Sequence, residues 1–499
     1  MKSDSWLRPA LFLIVSFALG AMQVLAFAPF NFWPLSFISL SAFFYLTRES
    51  TPRFAFLHGM LYGYGLYLVG VSWVYVSLST YGGMPLWMGV IAVFGFASIL
   101  ALFIGLSCYI VVRFFPARQH LFVFPAVWLI FEWMKGWVLT GFPWLDLGYT
   151  QTPSWLFGWA PIGGIYLVSF VTLVVSALIV AVIRSRKLSV LVALTAVIGL
   201  SWIVDRINWS RAIGEPLQIG VVQANVPITN KWQSKKRDEL IEQYRTLSGK
   251  IQTEHSADLI IWPETALPLY VQQTDSEFWQ NIEPKGAALL TGIMDSPTIA
   301  QGNLDESYNA AVLSCQGQTQ VYRKRHLVPF GEYLPLRFLF NWVLEYLELP
   351  MSDFSSWNGV QTLECGDIKV GLSICYEDAF ADEYRRHIGD ATLLVNISED
   401  AWFGDSFAPH QRAQMAQMRA RELSRPLVRS ANSGPSLFIS EKGILDASTP
   451  QFEVHTMSRK VQPHTGNTPY AIAGDWVVWL SLLLLGIVYW RNRAGNLIR

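Results

Sequence analysis

The chain has 499 residues, with 37 basic and 37 acidic side chains and so no formal net charge. Hydrophobic residues make up 52% and charged residues 15%, against about 25% charged in ordinary soluble domains, which excludes a disordered chain and argues against a nucleic-acid binder. Four Cys in such a length exclude a disulfide-dense scaffold, while 21 Trp and 31 Phe suit membrane–water interfaces.

The first part of the chain is where charge is scarce. Residues 1–205 hold ten Lys/Arg and five Asp/Glu, leaving 27 and 32 for the rest. A membrane span needs about 20 apolar residues. Candidate spans run over 9–28, 31–47, 55–78, 86–112, 119–139, 157–183 and 188–205, with an eighth over 474–490. Lys2, Arg8, Arg48, Arg53, Arg113, Arg118, Arg184, Arg186 and Lys187 flank alternate loops, and Arg491, Arg493 and Arg499 follow the last span. The loops around Pro29, Tyr81 and Gly148 carry no Lys or Arg. The positive-inside rule then puts both termini in the cytoplasm, and residues 206–473, after a seventh crossing, in the periplasm of a bacterium. The expected architecture is an α-helical polytopic bundle of about eight spans plus an α/β domain. Its parts are a membrane domain at 1–205, an exported domain at 206–473, and an eighth span with a cytoplasmic tail at 474–499. Within the fifth span, Glu132 and Lys135 lie one helical turn apart. An intramembrane ionisable pair is a functional candidate, but an i,i+3 ion pair near the interface is the simpler expectation.

From Pro216 the pattern changes to short β-rich runs between polar helices and loops. The predicted strands are Leu217–Val222, Leu259–Trp262, Ala287–Ile293, Ala310–Ser314, Gln318–Tyr322, Val370–Ile374, Leu393–Ile397, Leu427–Arg429 and Ser436–Ser440. Lys235–Thr253 and His410–Ser424 read as helices, and the alternation predicts a layered α/β domain.

Three of these runs end in reactive side chains. Leu259-Ile-Ile-Trp-Pro-Glu264 stops a buried-type strand at a carboxylate. Gln318–Tyr322 leads into Arg323-Lys324-Arg325-His326 and on to Pro329-Phe-Gly-Glu332-Tyr333. Val370-Gly-Leu-Ser-Ile-Cys375-Tyr376-Glu377 ends a strand in a thiol at a turn, where helix N–H groups favour the thiolate. A carboxylate base, an ammonium and a thiol are the parts needed for acyl transfer through a thioester. Singly, each has a plainer reading: a strand-terminal Cys is more often packing, and Lys324 between two Arg suits a solvated basic face. His326 invites a Cys–His dyad, but nothing in the sequence supplies the third group to orient it.

Taken in order, W-P-E, Y-R-K-x-H-L and a strand ending in C-Y-E resemble the carbon–nitrogen hydrolase (nitrilase) superfamily. The resemblance extends over nearly the whole chain to one branch, the apolipoprotein N-acyltransferase family. It is carried by Glu132-Trp-Met-Lys-Gly-Trp, Thr140-Gly-Phe-Pro-Trp144, Val222-Gln-Ala-Asn225, Asp400-Ala-Trp-Phe-Gly404, Arg425-Pro with Arg429 and Asn432, and Thr468-Pro-Tyr470. It implies a four-layer αββα sandwich for the exported domain, with Cys375 as nucleophile, Glu264 as general base and Lys324 as charge stabiliser. It further implies Glu332, Tyr376, Glu377 and Asn309 as supporting residues, and Trp232, Trp402 and Phe403 on substrate loops. One departure is Ser398-Glu399-Asp400, where the family more often has Asn in the middle, in a loop near the substrate entrance. The implied reaction moves a fatty acyl chain from a phospholipid donor to the N-terminal amine of a diacylated apolipoprotein, with no metal or organic cofactor. Two other readings are a membrane-tethered amidase with the same triad, and a transporter whose Cys375 is only structural. Leu334–Leu349 is greasy enough for a lid or a membrane-dipping arm, or for a helix over the domain core. Cys315 and Cys365 fall in the exported segment, where disulfides are permitted, though spacing alone does not pair them. Cys108 reads as packing inside the fourth span.

Overall fold

The computed structural model describes residues 4–231, 233–299, 306–335, 338, 353–359 and 361–497. They form two compact units, one of Met1–Thr80, Met84–Ile207 and Ile472–Arg499, the other of Tyr81–Gly83 and Asn208–Ala471.

The first unit is helical: α1 (Asp4–Val24), α2 (Pro34–Thr47), α3 (Pro52–Gly70), α4 (Leu86–Phe114), α5 (His120–Lys135), α6 (Ala160–Ser185), α7 (Leu188–Val204) and a last helix, Trp476–Leu497. Each hydropathy-predicted segment therefore contains a helix. Among the described residues, Leu86–Phe114 and Trp155–Ser185 are long and apolar enough to cross a membrane, and Pro52–Gly70 with Trp73–Tyr81 adds a third if that pair, bent by 52°, is one span. Leu11–Val24, Pro34–Thr47 and Leu188–Val204 are apolar but shorter. The helices pack through small residues, as apolar helices do when backbones must approach. At Gly65 of α3 a Cβ would lie 2.0 Å from the Phe17 carbonyl oxygen of α1, so only glycine fits.

The ion pair expected between Glu132 and Lys135 forms elsewhere. Lys135 Nζ meets Asp146 Oδ1 at 2.7 Å and donates to the Trp144 carbonyl at 2.6 Å, both within the unit's interior. Glu132 instead accepts from Trp128 Nε1, the Leu147 backbone N–H and the Ser169 hydroxyl. The loop after α5 folds back and supplies closer partners than the neighbouring turn does. Both residues thus fasten that loop to the helices.

In the second unit, besides a short antiparallel pair of Arg211–Ala212 and His464–Thr465, the strands are β1 (Leu217–Gln223), β2 (Leu259–Ile261), β3 (Ala288–Asp295), β4 (Tyr308–Cys315), β5 (Gln318–Arg323), β6 (Leu363–Cys365), β7 (Ile368–Ile374), β8 (Leu393–Ser398), β9 (Leu427–Ala431), β10 (Leu437–Ile439), β11 (Leu445–Ser448) and β12 (His455–Val461). One six-stranded sheet has the order β12-β1-β2-β3-β4-β5, the other β11-β10-β9-β8-β7-β6. The central strands β1, β2 and β3 run parallel, as do β7, β8 and β9, and the outer pairings are antiparallel. Between the sheets lies an apolar layer that includes Ile219, Val221, Ile261, Leu290, Leu372, Val395 and Val428. The outer face of the first sheet packs under α8 (Arg237–His255) and α9 (Ser276–Ile282) through Tyr244, Ile251, Trp262 and Trp279. The second is covered by α10 (Ala381–His387) and α11 (Ala408–Leu423) through Tyr384, Ala416 and Ala420. The layers read α-β-β-α, and buried parallel strands explain why the central runs are continuously apolar. All nine predicted strands are present, with shifted ends. The unpredicted ones are edge or near-edge strands; β12, His-Thr-Met-Ser-Arg-Lys-Val, has only one sheet neighbour and keeps polar side chains. Cys315 at the end of β4 and Cys365 at the end of β6 form a disulfide that ties the two sheets together at one edge.

Candidate active site

The reactive segments converge where the parallel strands end, the usual place for a site in such sheets. β2 ends at Ile261, and past Pro263 the chain turns so that Glu264 is buried, with Thr265 at φ +48°. The turn presses on β3, where a Cβ at Gly292 would lie 2.7 Å from the Glu264 Cα and 2.2 Å from the Thr265 nitrogen. Glycine is required there to seat the carboxylate. Glu264 Oε1 accepts from Asn309 Nδ2 at 2.7 Å and lies 3.6 Å from Lys324 Nζ, while Oε2 accepts from the Glu399 backbone N–H at 2.8 Å.

Lys324 follows β5 and is 1% exposed. Its ammonium donates to Glu332 Oε1 at 2.8 Å, and its backbone N–H bonds the Asn309 carbonyl at 2.8 Å. Burial works against the charge, but Glu332 and Glu264 outweigh it and hold the Lys324 ammonium protonated beyond the ordinary lysine range. Asn309 sits between the acids, its Nδ2 also donating to Glu332 Oε1 at 2.8 Å. Glu332 closes the loop on itself by accepting from the Val328 N–H at 2.8 Å.

Cys375 directly follows β7 at φ +51°, a left-handed conformation that disfavours any residue with a Cβ. Three groups hold this elbow. Glu377 Oε2 accepts from the Ile374 N–H at 2.6 Å, and the Cys375 carbonyl accepts from Asn396 Nδ2 at 3.3 Å and from Arg412 Nη2 at 2.5 Å. Glu377 also accepts from the Tyr322 hydroxyl at 2.8 Å and the Arg325 N–H at 2.6 Å, so it joins the thiol turn to the segment carrying Lys324. Burial pushes the Glu377 carboxyl upward in pKa, and the same cause, with Glu264 adding to it, pushes the Cys375 thiol up to about 11 against the pull of Arg412 and Lys324. At neutral pH the thiol is therefore protonated and needs a base.

The residues expected from the sequence thus divide as follows. Glu264, Lys324, Cys375, Glu332, Glu377 and Asn309 come together. Tyr376 turns its ring against Phe380 and His326, and His326 Nδ1 faces Glu383 at 3.1 Å. Trp402 and Phe403 sit half-buried on the turn just past Glu399 and Asp400. Trp232 lies outside the described residues, as does Leu334–Leu349 apart from Leu334, Pro335 and Phe338.

Two family models match the chain: the apolipoprotein N-acyltransferase N-terminal domain over residues 19–178 and carbon-nitrogen hydrolase over residues 218–470. The apolipoprotein N-acyltransferase of Methylococcus capsulatus is 35% identical over 489 residues, covering 95% of each chain. That of Azotobacter vinelandii is 36% identical over 499 residues, covering 96% of this chain and 95% of its own. The chain belongs to the apolipoprotein N-acyltransferase family. It is accordingly an acyltransferase, with a nitrilase-like α/β unit in its C-terminal part. Among solved structures, the nitrilase-superfamily protein Nit3 of Saccharomyces cerevisiae is similar with a TM-score of 0.39 and 16% identity, covering 51% of this chain and 93% of its own.

Two residues at this family member's site, Lys231 and Arg412, escape a reading of the sequence, and a third, Glu399, shows there only as a departure from the family. Lys231, 4% exposed, donates to the Glu264 carbonyl at 2.9 Å and to Glu399 Oε2 at 2.6 Å. Glu399 is buried and turns to Lys231 and to Asn432 Nδ2. Burial raises its pKa, with Lys231 pulling the other way. Arg412, 1% exposed, reaches from α11 to the thiol sulfur at 3.1 Å. In the sequence each is one charge in a polar stretch. Only an acid at a position where the family favours Asn gave a signal.

Proposed function

We propose that this enzyme transfers a fatty acyl chain from a membrane phospholipid to the α-amine of the diacylglyceryl-cysteine that begins an apolipoprotein, by ping-pong turnover through a thioester on Cys375. The observation that carries this reading is the meeting of one carboxylate, one ammonium and one buried thiol, Glu264, Lys324 and Cys375, in a chain related to N-acyltransferases along its length.

In the first half-reaction Glu264 takes the thiol proton as the sulfur attacks the ester carbonyl. A pKa of about 11 leaves roughly one thiol in ten thousand ionised at pH 7, so the base is needed. Lys324, kept charged by Glu332, stabilises the oxyanion. The ester C–O bond breaks, the lysophospholipid alkoxide leaves with the proton from Glu264, and the acyl group stays on sulfur. In the second half the amine attacks the thioester, the C–S bond breaks, and the amine's proton returns to sulfur through Glu264. An α-amine of pKa near 8 is about a tenth neutral at pH 7, enough for a modest base to complete the transfer. Asn309 and Glu332 set the spacing of base and ammonium, and Trp232, Trp402 and Phe403 serve the lipid chains.

Both substrates are bilayer lipids, so we assign residues 1–205 and 474–499 to about eight inner-membrane spans with cytoplasmic ends, and 206–473 to the periplasm. Loop charge supports that orientation. So does the Cys315–Cys365 disulfide, which suits an oxidising compartment.

The test is to incubate the purified enzyme with phospholipid alone and look for an acyl group on the Cys375 peptide, then add a diacylated lipopeptide and follow its acylation. Wild type should trap the thioester and pass it to the amine faster than to water. A Cys375→Ala variant that still acylates the lipopeptide would defeat the mechanism, and release mainly to water would make the enzyme a hydrolase.

A further inference from the structure

The proton hand-over just described moves negative charge from Glu264 to the sulfur, and the two positions have different cationic neighbours. Lys324 is engaged by the acids: its nitrogen is 2.8 Å from Glu332 Oε1 and 3.6 Å from Glu264 Oε1. At the sulfur it is Arg412 that donates, from Nη1 at 3.1 Å.

The Arg412 guanidinium is held in place for this contact. Nη1 also donates to Ser398 Oγ at 2.8 Å and lies 3.3 Å from Asp400 Oδ1, while Nη2 donates to Asp378 Oδ1 at 3.0 Å and to the Cys375 carbonyl. Burial opposes its charge, but Asp378, the thiol and Asp400 outweigh burial, so it stays a cation at any accessible pH. Ion-pair structure alone does not require it to reach the sulfur. Arg429 already binds Asp400 through both carboxylate oxygens at 2.8 Å and approaches Asp378 at 3.5 Å.

We propose that Arg412 is a catalytic residue that binds the Cys375 sulfur as a thiolate, first when the thiol gives up its proton for attack and again when the C–S bond of the thioester breaks. The proposal rests on Cys375 being the acyl carrier. It predicts that Arg412 accelerates both half-reactions, because in each the sulfur carries the electron pair that the guanidinium faces. The charged groups acting on the thiol are Glu264 and Asp400, which oppose its ionisation, and Arg412 and Lys324, which favour it. Of the two cations, Arg412 acts more strongly.

The experiment is alkylation of Cys375 by iodoacetamide in the full-length, detergent-solubilised enzyme, read by mass spectrometry of its peptide at pH 8, with Cys375→Ala as blank. The disulfide removes Cys315 and Cys365 from the reaction, and Cys108 is read on a separate peptide. Losing the guanidinium lowers the thiolate fraction, while the more basic thiolate recovers about half of that loss on a logarithmic scale through its nucleophilicity. We expect Arg412→Gln to alkylate at least tenfold more slowly than wild type, and Arg412→Lys, which keeps the charge, to regain part of the rate. Should Arg412→Gln not fold, Arg412→Gln/Asp378→Asn keeps the net charge of the buried cluster and is held to the same tenfold. An alkylation rate within twofold of wild type in the folded variant, with the thioester still trapped on wild-type Cys375, overturns the role of Arg412 alone. No trapped thioester in wild type overturns the underlying reading as well, whatever the alkylation rates.

Discussion

Glu399 offers the most direct test of how the carboxylate side of the site is supported. Replacing it by Gln leaves the Lys231 ammonium buried beside a neutral amide. The pair is separated by 2.6 Å with both side chains at or below 8% exposure. At an effective dielectric of about 20, two unit charges at that distance attract by roughly 6 kcal/mol, most of it offset by the desolvation of both ions. What remains after one charge is removed is an uncompensated buried cation, a loss of about 3–5 kcal/mol. Lys231 keeps one acceptor, the Glu264 carbonyl at 2.9 Å, which places the expected loss near 3 kcal/mol. The effect should be local, so the assay is amide hydrogen exchange of peptides covering 259–266 and 393–400. A 3 kcal/mol loss speeds exchange through local opening by about 150-fold. Lys231→Met combined with Glu399→Gln should recover most of it, because no lone charge is then left. Acyl transfer should fall in Glu399→Gln, since an unpaired Lys231 ammonium loosens the turn in which Lys231 Nζ and the backbone N–H of residue 399, itself kept by Gln, hold Glu264. Exchange within threefold of wild type, or a double variant as damaged as the sum of the two single ones, would refute this account.

Three further outcomes follow from the site and the fold. Glu264→Gln should lose about 10²–10⁴-fold in acyl transfer, as expected for a missing general base, yet its Cys375 should alkylate faster. The carboxylate raises the thiol pKa, and a fall of one unit gives about tenfold more thiolate, or about threefold in rate after the loss of nucleophilicity; slower alkylation would contradict the assigned electrostatics. In wild type, a thiol pKa of about 11 makes the thiolate fraction climb tenfold per pH unit from neutrality toward pH 10, so a plateau near pH 8.5 would disprove the burial effect. Replacing Cys315 and Cys365 with Ser opens a loop of 50 residues, whose closure is worth about 4 kcal/mol in the chain-entropy account. Chemical unfolding of the second unit should show a loss of that order, and under 1 kcal/mol would mean that the disulfide ties nothing.

Much of this fold and site is legible in the sequence. The central strands could be read because burial on both faces makes them unbroken apolar runs, and their ends pointed to Glu264, Lys324 and Cys375. Of the four edge strands only β5 is legible: β6 and β11 are short and partly exposed, and β12 mixes Ser, Arg and Lys with its two apolar positions. α11 was harder in another way. Ala-Pro-His-Gln-Arg-Ala-Gln-Met looks like the start of a solvated helix, yet Arg412, Arg419 and Arg421 are all buried. For Arg412 the partners that permit burial, Asp378 and Asp400, come from turns after β7 and β8, so nothing near it in the chain announces them. Lys135 behaves similarly, taking Asp146 rather than the acid one turn away.

The placement of the reacting groups on two different sheets carries a consequence for how the enzyme would fail. Glu264 and Lys324 hang from the first sheet, and Cys375 and Arg412 belong to the second and its covering helix. Nothing within either sheet sets the distance from base to sulfur; that gap is gauged by the apolar filling between them, including Val221, Ile261 and Leu372, together with the few hydrogen bonds that cross it, from Glu399 N–H to Glu264 and from Arg325 N–H to Glu377. A thinner or thicker side chain there shifts one half of the catalyst past the other while every strand keeps its ladder. Misplacement by about 1 Å can cost 100-fold in rate. Such packing changes would therefore silence turnover in a protein that still folds, still carries its disulfide, and still presents every catalytic side chain.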